Sequence, residues 1–576
     1  MEKVNREIIG IVAALLCLVA LLLSKSAIIT AGGESSSDWP MYRHDAERSG
    51  FTPVVGPKYN FTKWTFQTGD IVLSSPAVAN GMVYFGSNDS KVYALDMWTG
   101  ELIWSFSTGS AGIYSSPAVA YGIVYIGAND NKTYALNAIT GELIWSFTAF
   151  GSAYFGLRSP FWSSPVVVDG TVYIGNLDSF VYALDAATGS FKWAQTVYGS
   201  CTGSSPAVVD GKVYIASAGY TSPYHGNVTC LDAATGQLIW YYTIPYGVWF
   251  STPAVVNGIV YVGSFAGVVY ALNATTGQLI AYFAPGDFQP INTSPAVANG
   301  IVYVGSGNGR IYALNASNLK VIWSKMLSSS GVYSSPVVAG DTVYIGTEDG
   351  RIFALDAKTG QEIWVYTTGG RIRGSFAVVS GPPQCSSLLY APSYDGKIYA
   401  IYDVMHDIAV TNVLPLKTII GQGYSMNINV TVENQGDYTE TFTVVLYANT
   451  SIIGTETVTL QNDKSITITF TWNTTGFVKG NYTIWAYAWP VPDETSTDDN
   501  TFVDGLIVIT MPGDINNDGI VDYLDINPIC RLFGKTSLDP NWNPNYDIIE
   551  DGIIDYLDIN IPCRNFGKTD HGKYKN

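Results

Sequence analysis

The stretch DINNDGIVDYLD, residues 514–525, sets acidic and amide side chains at the spacing of a cation-binding loop. Asp514, Asn516, Asp518, Asp522 and Asp525 fall at positions 1, 3, 5, 9 and 12, with Gly519 at position 6 and the Ile520 carbonyl at position 7. Hard oxygen donors at these intervals, with glycine at the sharp turn, suit Ca²⁺. Carboxylates gathered this closely repel one another unless a cation sits among them. The pattern returns as DIIEDGIIDYLD, residues 547–558. There Asp547, Asp551, Asp555 and Asp558 hold positions 1, 5, 9 and 12, and Ile553 offers the carbonyl at position 7. Position 3 is Ile549, so one side-chain ligand is missing and this loop is expected to bind more weakly or to recruit water.

Each loop must be held by a short helix, ending near Phe533-Gly534-Lys535 and Phe566-Gly567-Lys568. Upstream of the first loop lie a strand pattern, LIVITMPG, and Pro512 rather than a helix. Tandem half-EF-hands with Asp at position 12 resemble the type I dockerin over residues 512–570. The resemblance implies Ca²⁺-dependent attachment to a cohesin domain on a scaffold or cell surface, often in polysaccharide-degrading assemblies. It places partner-facing residues at Tyr523, Leu524, Tyr556 and Leu557, for which helix packing is the competing role. Cys530 and Cys563 occupy matching positions in the two halves, as a pseudo-twofold disulfide or as shielded thiols.

The rest of the chain is of another kind. In 576 residues, charged and aromatic side chains each reach only 13%, with 39 Tyr, 15 Trp and 58 Gly, a profile of turn-rich β-structure. The net charge of −18 excludes nucleic acid as a partner class, because that binding needs clustered Lys and Arg. Between residues 60 and 403 one unit recurs, typified by SSPAVANGMVYFGSNDSKVYALDMWTGELIWSF at 74–106. Its Ser-Pro or Thr-Pro element returns at Pro76, Pro117, Pro165, Pro206, Pro253, Pro295 and Pro336, and a degraded copy has Phe376. Each unit carries four short strand signals separated by turn chemistry, and strands such as VYALD are apolar on both faces. KWTFQTG, with Trp64, precedes the first complete unit, while the last unit ends at Asp403 without such a strand. Pairing the two closes a ring and removes its open edges, predicting an eight-bladed β-propeller over 38–405.

The phrase Asp96/Gly100/Trp104, repeated at Asp185/Gly189/Trp193, Asp232/Gly236/Trp240 and Asp356/Gly360/Trp364, resembles the PQQ-like propeller repeat. Asn137/Gly141/Trp145 is a close variant; Asn315/Trp323 lacks the glycine, and Asn273/Gly277 has Ala281 in place of tryptophan. The leading DWPMYRHDAERSGFTP is similar to the entry segment of exported members. Repetition makes the phrase a packing device, with tryptophan wedged between blades. Quinone enzymes of this superfamily are expected to add an adjacent Cys-Cys pair, a calcium cradle and a catalytic Asp. No Cys-Cys occurs, and His44, His225, His406 and His571 have no metal-ligand spacing. No catalytic residue is assigned, and PQQ is not expected as a cofactor. The aromatic stretches 150–162 and 218–228 suit sugar or protein contact, or simple rim packing. Cys201 and Cys230 flank the second stretch, as a disulfide or as buried thiols.

After Asp403 short alternating strands predict an immunoglobulin-like β-sandwich over 406–511. VENQG at 432–436 and the Asp498-Asp499-Asn500 turn make it similar to the CARDB domain. The apolar run Ile8–Leu23 behind Lys3 and Arg6 marks residues 1–27 as a secretory signal or an uncleaved anchor. Export agrees with eleven Asn-x-Ser/Thr sequons, the mark of an archaeal or eukaryotic glycoprotein. The sequence thus describes a mainly β, secreted or cell-surface chain of propeller, sandwich and small α-helical dockerin module. Its expected role is non-catalytic binding or adhesion, with a cohesin-domain protein as partner and a polysaccharide or cell-surface protein as further contact. The competing role is a quinoprotein-type dehydrogenase or a polysaccharide-active propeller enzyme.

Overall fold

The computed structural model describes residues 38–109, 112–150, 160–200, 203–219, 225–380, 387–403, 406–492, 494 and 496–569. The expected signal or anchor at 1–27 lies outside them, as do Cys201 and residues 151–159 and 220–224 of the two aromatic stretches. Among the described residues no helix is long and apolar enough to cross a membrane. The chain forms two compact units, meeting in sequence after Asp403.

The first unit is propeller-like. Among the described residues it holds eight sheets, each with an antiparallel core from one sequence repeat, and Phe51–Thr52 adds a parallel edge to one of them. In the first, Ala77–Ala79, Met82–Gly86, Lys91–Asp96 and Leu102–Ser107 lie side by side in chain order. Their inner strands are buried on both faces, which is why VYALD-type segments do not alternate. The last repeat supplies only Ala377–Val379, Leu388–Pro392 and Lys397–Tyr402, and Phe61–Gln67 pairs antiparallel with Lys397–Tyr402 as the fourth strand. The chain's beginning therefore completes its last sheet, as the Trp64 argument requires.

Packing between sheets follows one rule. The outer strand shifts register beside Ala94–Leu95, and the shift recurs in each sheet. It accompanies a tryptophan laid onto the next sheet's turn glycine. Trp104 covers Gly141, whose φ of +73° only glycine adopts readily, and its Nε1 donates to the Ala138 carbonyl at 2.9 Å. Tyr84 donates its hydroxyl to that same carbonyl at 3.1 Å. The two irregular copies prove to be partners. Ala281 stands where a tryptophan would cover the next turn, and that turn carries Leu319, with φ +54°, in place of glycine. Leu319 is 2% exposed and fills the space the missing ring leaves, in one cluster with Ala281.

Gly141→Ala is therefore expected to cost about 2–4 kcal/mol, since a Cβ there would lie 2.6 Å from the Trp104 ring on a strained backbone. Gly122→Ala, at φ +72° with nothing within 4 Å, should cost only about 1 kcal/mol. Denaturant midpoints of the two variants check the difference.

In the second unit a three-stranded sheet (Ile408–Pro415, Ser425–Asn434, Lys464–Asn473) and a five-stranded sheet form the sandwich. Ser425–Asn434 alternates buried and half-buried residues, the two-residue period expected of a strand with one face inward. Trp472, Val430, Leu446 and Ile484 meet in its core.

One acidic group strains this domain. Asp407 is buried, and its carboxyl is pushed up to about 6 by burial, then by Asp499 and Glu494. The folded form therefore takes up a proton as pH falls through about 6, while the unfolded carboxyl stays ionised to lower pH. Stability should be greatest in acid and be lost as pH rises through that value. Asp407→Asn is expected to raise the unfolding temperature at pH 8 and to flatten its rise between pH 8 and 5, as read by calorimetry.

Candidate functional site

The repeated Ser-Ser/Thr-Pro element builds the centre of the ring. Its first hydroxyl ties the inner strand to the next strand of its own sheet, as Ser74 Oγ accepts from Gly86 N at 3.0 Å. Its second hydroxyl ties one sheet to another. Ser75 N donates to Ser116 Oγ, Ser116 N to Ser164 Oγ and Ser164 N to Ser205 Oγ, each at 2.9 Å. The chain continues through Thr252, Ser294 and Ser335, and Ser375 N returns to Ser75 Oγ at 2.8 Å. The remaining step, from Ser375 Oγ to the Ser335 carbonyl at 3.0 Å, joins the last pair of sheets.

The proline of each element leaves a carbonyl near the axis, and the entry segment takes up four of them. Arg48 donates to Pro206 at 3.0 Å and Pro165 at 2.8 Å, while Arg43 donates to Pro295 at 2.7 Å and to Pro336. Both arginines are fully buried. Burial pushes each guanidinium down to about 10, with Tyr42 and Asp45 acting the other way, so both stay charged at neutral pH. Around them, backbone carbonyls of Pro40, Ala46, Glu47, Ser49 and Gly50 receive amides from Val119, Val208, Val255, Val297 and Val338, on the inner strands of five sheets. The sequence marked this segment as an entry segment; its place as an axial plug was not read, because the proline carbonyls that Arg43 and Arg48 meet lie more than 100 residues away.

A cavity of about 750 Å³ is lined by six of the eight ring hydroxyls and by Tyr42. Its wall comes from the residue immediately before each Ser-Ser/Thr-Pro element. Tyr114, Trp162, Phe250 and Tyr333 supply aromatic rings; Leu73, Gly203, Asn292 and Arg373 complete the circle. Arg373 is the single cation of the described lining, and it is engaged by Glu348 at 2.6 Å and 3.0 Å. Its guanidinium also lies 5.7 Å from the Tyr333 ring and 5.4 Å from that of Tyr394. These hydrogen bonds to Glu348 raise its pKa further. The described lining has no acidic side chain, and its one cation is neutralised.

In the second unit, helices α1 (Tyr523–Arg531) and α2 (Tyr556–Asn565) follow the two acidic loops. Both start with a capping box, Asp522 with Asp525 and Asp555 with Asp558, so loop positions 9 and 12 also fix the helix ends. Asp514 accepts Gly519 N at 3.0 Å and Asp518 N at 3.2 Å; Asp518 accepts Ile520 N, and Asn516 Oδ1 accepts Asp518 N. The second loop repeats this, with Asp547 accepting Gly552 N and Asp551 accepting Ile553 N. Burial pushes Asp514 up to about 6 and raises Asp525, Asp547 and Asp558. The oxygen donors suit a hard cation, although no three His, Cys, Asp or Glu side chains converge on one point among the described residues.

The second loop has a neighbour that the spacing did not foretell. Lys417 of the sandwich is 4% exposed, donates to the carbonyls of Asp547 and Ile548, and lies 3.5 Å from Glu550. Tyr523, Leu524, Tyr556 and Leu557 are 50–67% exposed, so packing against the helices does not occupy them. Ile529 and Ile561 form the apolar contact instead. Cys530 and Cys563, read as a bridge or as shielded thiols, are exposed free cysteines in this structure. Cys230 is a buried free thiol, pushed up to about 12 by burial, and its suggested partner Cys201 lies outside the described residues.

A family model described as "Outer membrane protein assembly factor BamB" matches residues 61–221, 99–282 and 266–405. A second, CARDB, matches 407–502. No curated protein matches the sequence significantly. Similar solved structures include the quinohemoprotein alcohol dehydrogenase of Pseudomonas putida, at 15% identity and a TM-score of 0.55, covering 64% of this chain and 80% of that one. That of Comamonas testosteroni gives 18%, 0.52, 64% and 80%. A europium-containing methanol dehydrogenase gives 16%, 0.52, 64% and 98%. At these identities the likeness is one of fold alone.

Proposed function

We propose, because this chain belongs to the family described as outer membrane protein assembly factor BamB, that it is an exported binding protein rather than a catalyst. Its eight sheets are the blades of one closed propeller that presents an interaction surface, and the CARDB sandwich spaces it. The C-terminal module is a dockerin that holds Ca²⁺ chiefly through Asp514, Asn516, Asp518, Ile520, Asp522 and Asp525. It attaches the chain to a cohesin-bearing scaffold or cell surface. The observation that carries the reading is the duplicated, exposed Tyr-Leu pair, Tyr523-Leu524 and Tyr556-Leu557, at the start of two helices whose first turns are fixed by acidic loops. An exposed apolar pair repeated by pseudo-twofold symmetry suits a protein partner.

Binding of the full-length chain to purified type I cohesin domains, with Ca²⁺ and with chelator, tests the attachment. Capture in Ca²⁺ that chelator abolishes, and that Leu524→Asp with Leu557→Asp removes, is the expected result. Equal capture in chelator, or none in Ca²⁺, overturns it.

A further inference from the structure

The cavity on the ring axis carries an inference beyond attachment. Across eight repeats the Ser-Ser/Thr-Pro frame hardly changes, because each hydroxyl has a fixed bond to make. The residue directly before it differs in almost every copy, and all eight of these residues line the cavity. Packing of the blades does not demand this variety, since the same frame accepts Trp162 in one sheet and Gly203 in another. Variation confined to one ring of positions around a cavity is what a ligand of irregular outline requires.

The chemistry of that ring narrows the ligand. Aromatic rings come from separate sheets, Tyr114 beside Trp162 on one side and Tyr333 and Tyr394 against the Arg373 guanidinium on another, and their remaining faces offer stacking surfaces. Asn292 and Gln289 add amides. Ser116, Ser164 and Ser205 each accept one amide hydrogen, which leaves their own hydroxyl hydrogens to donate. Charge is cancelled at Arg373 by Glu348, and no carboxylate lines the described wall. A volume of about 750 Å³ lies within the usual range of small-molecule sites.

We infer that the axial cavity is a binding site for a neutral saccharide of a few sugar rings, stacked on Trp162 and Tyr333 and hydrogen-bonded by Asn292 and the serine hydroxyls. The inference rests on reading the propeller as a binding part and gives that part its ligand class. Stacking on apolar sugar faces with hydroxyl-to-hydroxyl bonding needs no net charge, which this wall lacks.

Calorimetric titration of the full-length protein with cellotriose, maltotriose, mannotriose and chitotriose, and with trigalacturonate as the charged counterpart, provides the test. Saturable binding of at least one neutral sugar, weakened about tenfold or more by Trp162→Ala and by Asn292→Ala, is expected. Trp162→Phe should retain most of it, and unfolding curves of each variant show whether the ring is intact. Tyr333→Ala serves as the second stacking variant if Trp162→Ala unfolds. Absence of binding by all four neutral sugars, preference for trigalacturonate, or binding indifferent to these variants overturns the inference. Calcium-dependent cohesin capture by the same preparation would persist in that event, so the two readings fail separately.

Discussion

Calcium added to the full-length chain is expected to raise the unfolding temperature of its C-terminal unit, and Asp514→Ala to remove most of the gain. At a calcium concentration a hundred times the dissociation constant, one site contributes about 2.7 kcal/mol. Asp514 and Asp525 are buried carboxylates that a cation would relieve of mutual repulsion. The two loops should respond unequally. Asp547→Ala is expected to leave most of the calcium effect, because its loop lacks a donor at Ile549 and already has the Lys417 ammonium close by. Lys417→Met should then strengthen the second loop's response to calcium while weakening the calcium-free module, which loses three bonds at that contact. Calorimetric scans in calcium and in chelator read all three variants. No calcium-dependent shift in the wild-type chain would remove the metal from this module.

The second large effect is expected at the axis. Arg48→Ala should destabilise the propeller by about 3–5 kcal/mol, since it leaves the carbonyls of Tyr42, Ser164, Pro165 and Pro206 without their donor and opens a cavity. Arg48→Met refills much of the volume without restoring a donor. It should recover less than half of the loss if hydrogen bonding dominates, and most of it if packing does. Arg43→Ala should act similarly through Pro295 and Pro336. Denaturant unfolding followed by tryptophan fluorescence measures these losses. A loss under 1 kcal/mol for both alanine variants would mean that the plug is dispensable to the ring.

What could be read from the residues was whatever recurs with a fixed spacing. The tryptophan-docking phrase led to the sheets, and Trp64 led to the ring closure, because local turn chemistry and burial on both faces leave marks in every copy. Ala281 and the missing glycine at Leu319 looked like two separate lapses. They are one substitution seen from both sides, and only the contact between neighbouring sheets joins them. The serine ring was hidden for a different reason. Ser-Pro reads as turn chemistry, and nothing local shows that each hydroxyl points at another repeat about 40 residues away. Lys417 was invisible for the same cause, since its partners lie some 130 residues on. In the acidic loops the spacing showed the local bonds, such as Asp514 to Gly519 and Asp547 to Gly552, because those are made within a few residues.

The plug and the closing strand have a consequence for synthesis. A chain is made from its N-terminus, yet residues 39–50 bond to inner strands from Val78 to Val338, and Phe61–Gln67 pairs with Lys397–Tyr402. The strand Phe61–Gln67 thus emerges early and is the last able to find its partner. It must wait unpaired until nearly 340 later residues have followed, and no growing intermediate can complete the circle. The ring is therefore closed only after residue 402 has been made, with Phe61–Gln67 as keystone rather than foundation.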